Sequence, residues 1–259
     1  MPVPENLESF ATLVGVIAQL RSPAGCPWDR KQTHASLREN LLSECYEALA
    51  ALDEGDAEAL CEELGDLLLQ VVLHAQIARD DGEFAIGDVI RGITAKIVRR
   101  HPHIFGTGTA QDAEEVAHRW ESLKEEERES GASMLAGVPP EMPALGYSLE
   151  VQKRVARVGF DWADTGGVIE KLVEEVGELR EAGSDAEREQ EFGDLLFTLV
   201  NVGRRMGIDA ETALRQANRR FYRRFVHMEE VCRQRGVRFA GLSFEEQNAL
   251  WENAKQAQG

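Results

Sequence analysis

The chain has 259 residues, 43% of them hydrophobic, and a formal net charge of −17. That length and apolar content suit a soluble protein of one large or two ordinary domains. So acidic a balance argues against a general nucleic-acid-binding surface, which is basic, and favours cation binding. The N-terminus carries no signal pattern and no apolar run approaches the roughly 18 residues of a membrane span, so a cytoplasmic protein without nucleic-acid or membrane partners is expected.

In chain order the pattern is almost wholly helical. Leu37, Leu41, Leu42, Cys45, Leu49 and Leu52 recur at helix spacing until Gly55-Asp56, and 57–79 form a second, strongly apolar helix. A turn near Asp80–Glu83 leads into a third helix, which runs to about Arg100 and is broken by Pro102. Residues 106–109, Gly-Thr-Gly-Thr, are a loop without the Lys-Ser/Thr of a P-loop. Asp112 caps a helix bearing Trp120 and Lys124. Pro139, Pro140 and Pro143 then mark a boundary, giving domains 1–128 and 147–259 joined by a linker, 129–146. The second half predicts helices at about 145–157, 166–182, 186–206, 209–235 and 243–257, with Asp209 and Ser243 as N-caps and Ser243-x-x-Glu246 as a capping box.

The two halves repeat one plan. Glu44-x-x-Glu47 followed by Glu63-Leu64-Gly65-Asp66 returns as Glu175-x-x-Glu178 followed by Glu191-Phe192-Gly193-Asp194. Lys96-x-x-x-Arg100 returns as Arg220-x-x-x-Arg224, and Trp120-Glu121-x-x-Lys124 as Trp251-Glu252-x-x-Lys255. Glu44 to Glu175 and Trp120 to Trp251 are both offset by 131 residues, a period too long for a solenoid and suited to a duplicated domain.

Carboxylates at i,i+3 share one helix face. Two such helices side by side would converge four acids on one point, a setting for hard cations such as Mg²⁺ or Mn²⁺. Glu63, Asp66, Gln70 and His74 form one polar stripe on an otherwise Leu/Val helix; Glu191, Asp194, Thr198 and Asn201 form another, within an arc of about 80°. Helices apolar almost all round belong in a core, and carboxylates there need a metal or a partner. A buried carboxylate–arginine network is the alternative. In the preceding helix the apolar centre is Ile169, Leu172, Val176 and Leu179, with Glu175 flanking it. Gly65 and Gly193, costly inside helices, are expected to admit a close neighbouring helix. Cys26, Cys45, Cys61 and Cys232 lack CxxC spacing and are expected to be reduced, buried thiols; the six histidines show no zinc spacing.

These residues resemble the signature of the MazG-type nucleoside triphosphate pyrophosphohydrolases, in the long two-domain bacterial form. The resemblance rests on Glu174-Glu175-x-x-Glu178 with Glu191-x-x-Asp194, on Cys26-Pro27-Trp28-Asp29, on Arg100-His101-Pro102-His103-Ile104-Phe105-Gly106, on Val158-Gly159-Phe160-Asp161-Trp162 and on Ala217-Asn218-Arg219-Arg220-Phe221. It implies an all-α fold of two tandem helical-bundle domains and hydrolysis of NTPs to NMP and pyrophosphate with Mg²⁺, for which Mn²⁺ can substitute. It implies catalytic metal binding at Glu175, Glu178, Glu191 and Asp194, and nucleotide contacts at Lys171, Glu174, Arg220, Arg224, Trp251 and Lys255. It also implies a homodimer and a mainly structural N-terminal half. In that half Glu44, Glu47, Glu63, Asp66, Lys96, Arg100, Trp120 and Lys124 mark a possible second site, and the leading Glu of the signature is replaced by Ser43. Broad base specificity is expected. Trp251 reads equally as a stacking face or as a core aromatic. The competing function is a regulatory dimer that binds nucleotide or protein without turnover.

Overall fold

The computed structural model describes residues 4–107, 112, 115, 116, 120, 131 and 133–258. The described residues form helices and no strands, so the fold is all-α. The chain divides into two compact units, Met1–Arg128 and Glu129–Gly259.

In the first unit α1 spans Phe10–Arg21, opened by the Ser9 hydroxyl, which accepts from the Thr12 N–H. A single 3₁₀ turn, Asp29–Lys31, precedes α2, Arg38–Glu54, which stops at Gly55 in the left-handed region (φ 68°). The Asp56 carboxylate then caps α3, Ala57–Asp80, accepting from the Glu58 and Ala59 N–H groups. α4 spans Ile86–Arg100, and Pro102 both ends it and occupies the first turn of α5, Pro102–Phe105. α3 lies between α1 and α2, and its C-terminal half supplies most of the core: Val72, Leu73 and Ile77 meet Ile17 and Leu37. Arg21 pins the loop before α2. Its guanidinium pairs with Asp80 at 2.7 Å and donates to the Asp29 carbonyl at 2.6 Å and the Gln32 carbonyl at 3.1 Å.

The second unit comprises α6, Ala144–Ala156, α7, Thr165–Glu181, α8, Asp185–Arg205, α9, Ala210–Gln234, and α10, Phe244–Gln258. Asp164 caps α7, and Ser184 with Glu187 forms a capping box on α8. Asp209 caps α9, and the Ser243–Glu246 box on α10 forms as its spacing predicts. α7 and α8 are an antiparallel hairpin; α6 packs on α8, and α9 carries α10. Met228, Cys232, Leu250 and Ala254 are the core of the α9–α10 pair.

Asp112 accepts from the Glu115 N–H as an N-cap does. Lys124, most of the helix that it was expected to share with Trp120, Gly108-Thr109 of the predicted loop and residues 129, 130 and 132 of the predicted linker lie outside the described residues. All four cysteines are free, but Cys61 is exposed where burial was expected, because its helix turns that face outward. No described helix is long and apolar enough to cross a membrane.

Candidate metal centre and nucleotide-contact residues

The α7–α8 hairpin brings the acids together as side-by-side i,i+3 pairs should. Glu175, Glu178 and Glu191 each present a carboxylate oxygen, all within 4.8 Å of one another. In the first unit Glu44, Glu63 and Asp66 do the same across α2 and α3. Each group holds three of the four expected acids. Asp194 stands outside the first group, and Glu47, which accepts from the Ser43 hydroxyl at 2.9 Å, outside the second.

The wheel reading is corrected on one point. The helices of the hairpin turn their polar stripes inward and much of their apolar surface outward. Glu175 is 4% exposed and Thr198 and Asn201 are buried, whereas Ile169, Val173, Val176, Phe192, Leu196, Phe197 and Leu199 are exposed. α2 and α3 likewise expose Leu41, Leu42, Leu64, Leu68 and Val71. A Cβ built on Gly65 or Gly193 meets nothing within 4 Å, so neither glycine admits a close helix within its unit. Both sit on the outward face, away from the partner helix.

The electrostatics suit a cation. Partial burial, then the facing Glu178, Asp194 and Glu175, push the Glu191 carboxyl above its ordinary pKa. Partial burial, then Glu47, Glu62, Asp66 and Glu44, push Glu63 up in the same way. Lys171 lies beside the second-unit acids, its Nζ 2.7 Å from Glu174, 3.0 Å from Glu175 and 3.7 Å from Glu178. Three clustered carboxylates that raise one another's pKa are the donor set a hard divalent ion prefers, so the residues fit Mg²⁺ or Mn²⁺.

The predicted nucleotide contacts sit on a different helix pair. Arg220 is exposed on α9; Arg224 lies 5.7 Å over the indole of Trp251 on α10, and Phe221 tilts against the same ring at 5.4 Å. Trp251 also packs on the α9–α10 core, so its ring serves the core whatever else it does. Lys255 pairs with Glu252, 2.5 Å away on its own helix. α9 borders α6 and α8, while α7 packs chiefly on α8. In the first unit Lys96 is exposed and Arg100 half-buried on α4, and Trp120 lies against His101 at 5.9 Å.

Two arrangements escaped the sequence reading. Asp161 is clamped by Arg204 (2.5 Å) and Arg205 (3.1 Å), with Asn201 accepting from Arg204; the guanidiniums hold the Asp161 carboxyl below its ordinary pKa. This lattice fixes the loop displaying Phe160 and Trp162. His34 and His74 stack almost parallel, Nδ1 to Nδ1 at 2.7 Å. The adjacent Arg204-Arg205 at a helix end was the available signal for the first; nothing in the spacing announced the second.

The MazG nucleotide pyrophosphohydrolase domain family matches residues 32–105. Over 95% of each chain the protein is 47% identical to the nucleoside triphosphate pyrophosphohydrolase/pyrophosphatase MazG of Thermotoga maritima. It is 42% identical to the nucleoside triphosphate pyrophosphohydrolase of Escherichia coli K12, covering 94% of this chain and 96% of that one. It is also 47% identical to the uncharacterized protein YabN of Bacillus subtilis, over 96% of this chain and 52% of that one.

Proposed function

The chain belongs to the MazG family of nucleotide pyrophosphohydrolases, and we propose that it hydrolyses nucleoside triphosphates to monophosphate and pyrophosphate at the α7–α8 acids. The observation that carries this reading is the convergence of Glu175, Glu178 and Glu191 beside Lys171. Glu175, Glu178, Glu191 and Asp194 would hold Mg²⁺, with Mn²⁺ as a substitute. The ion would neutralise the reacting phosphate and lower the pKa of a water.

The chain's own residues supply the rest. Glu175, buried between the helices, anchors the acid group to the hairpin. Arg220 and Arg224 are two guanidiniums one turn apart, suited to the phosphates that the acids cannot approach. The indole of Trp251 offers a face to the base, and with only charges besides, the site would accept all bases. Bringing the α9–α10 groups to the α7–α8 acids is a task for a second copy of the chain. The exposed apolar faces of both hairpins support a homodimer. The four free thiols fit a reducing cytoplasm.

We assign turnover to the second unit. At the offset of 131 residues Lys171 and Glu174 correspond to Asn40 and Ser43, so the first unit has the acid cluster without its lysine and leading glutamate. A structural role for that unit follows. The test is pyrophosphate release from mixed NTPs with and without Mg²⁺; a pure protein that binds nucleotide but releases none would instead be the regulatory dimer.

A further inference from the structure

Lys171 stands where a cation would. Its ammonium touches Glu174 and Glu175 and lies within 4 Å of Glu178, so it contacts two of the three acids that converge on one point. One of these, Glu175, is 4% exposed, and an ionised carboxylate at that depth needs a compensating charge. The glutamates in turn raise the lysine's pKa, keeping it charged. The first unit is the internal control: Asn40 occupies the corresponding position, and no cation opposes the rise in the Glu63 pKa, whereas Lys171 opposes that of Glu191.

We propose that Lys171 is a built-in counter-cation, which holds the α7–α8 acids assembled before metal binds and which an incoming divalent ion must displace from Glu175 and Glu178. The inference rests on the reading that these acids bind metal. Displacement separates two like charges that could not share the site, and it leaves the lysine one turn from the acids with its charge free for a substrate phosphate. The consequence is directional. The second-unit acids bind a free ion more weakly than their number suggests and favour an ion that arrives with a polyphosphate, because the polyphosphate gives the displaced ammonium a new partner. The first unit has no such competitor.

The test is Mn²⁺ binding to the full chain, by calorimetry and by the loss of the free-ion electron paramagnetic signal, without nucleotide. A background of Glu63→Gln with Asp66→Asn leaves only the second-unit acids to report. In it, Lys171→Met should tighten Mn²⁺ binding by roughly tenfold or more, the effect of removing a positive charge a few ångströms away. The metal-free protein should melt at a lower temperature than its parent, and Mn²⁺ should raise that temperature by more than it does in the parent. Lys171→Arg should bind Mn²⁺ like the parent. Affinity unchanged or weakened by Lys171→Met overturns the proposal. If Lys171→Met does not fold without metal, Lys171→Gln, which keeps a hydrogen-bond donor, is judged by the same affinity criterion. Mn²⁺ binding in the parent that survives Asp194→Asn combined with Glu191→Gln would sink the metal-site reading itself, a different result from a parent that binds normally and a Lys171 variant that binds no better.

Discussion

Glu175 on α7 and Glu191 on α8 belong to different helices, yet their carboxylate oxygens come within 4.8 Å of each other, and Glu175 is almost wholly buried. Like charges at that separation are held only by a cation between or beside them. The predictions start from this pair.

Glu191→Gln should lower kcat by orders of magnitude, and Asp194→Asn should do so as well, because each removes a charged candidate ligand while keeping the shape of the side chain. Circular dichroism checks the fold and pyrophosphate release gives the rate. Wild-type turnover in either purified variant refutes that residue's assignment.

Glu63→Gln with Asp66→Asn should retain most activity, since these acids lie in the unit without the lysine. A loss equal to that of Glu191→Gln would show that both units turn over substrate.

Trp251→Ala should raise KM by a similar factor for every NTP, the equivalent of about 1–3 kcal/mol if stacking here matches that in nucleic-acid sites. It should also lower the melting temperature, because the ring packs on the α9–α10 core. Trp251→Phe keeps part of the core volume and separates the two effects: restored stability with KM still raised marks a stacking role.

Asp161→Ala should destabilise the second unit by about 2–4 kcal/mol in urea, since it strands Arg204 and Arg205, both largely shielded from water, without their shared carboxylate. An unchanged midpoint would mean that solvent already screens the lattice. The pH dependence follows from the Asp161 pKa, which Arg204 holds below 3.8. The stabilisation is complete above 3.8 and disappears as pH falls through the lower, folded-state value.

His74 behaves with the same sign. Burial, then the facing His34, lower its pKa from 6.5, so the unfolded chain binds the proton first. Stability from this pair should be present above pH 6.5 and fall away as pH drops below it. Melting curves between pH 7.5 and 5.5 should show wild type losing more than His74→Gln; parallel losses would mean that the pair does not titrate in this range.

The all-α fold, the helix bounds to within a residue or two and the acids on paired helices were all legible because they depend on local rules: spacing, caps and breakers. Ser243 with Glu246 and Asp209 did at the helix ends what their types dictate. The direction each helix would face was not legible. Ile169 and Val176 look like a core stripe on a wheel, but the hairpin turns them outward and buries Glu175, because the acids of α7 and α8 face one another. A wheel ranks faces by polarity, whereas packing ranks them by what the neighbouring helix offers.

The sequence by itself determined that this chain carries two copies of one acidic helix-pair design, since pattern and period need no neighbour. Only the tertiary structure decided that three acids of each quartet converge, that Lys171 sits among those of one unit, and that Asp161 and His74 find partners more than 30 residues away. Those facts depend on angles between helices and on distances between side chains remote in sequence, which no local periodicity encodes.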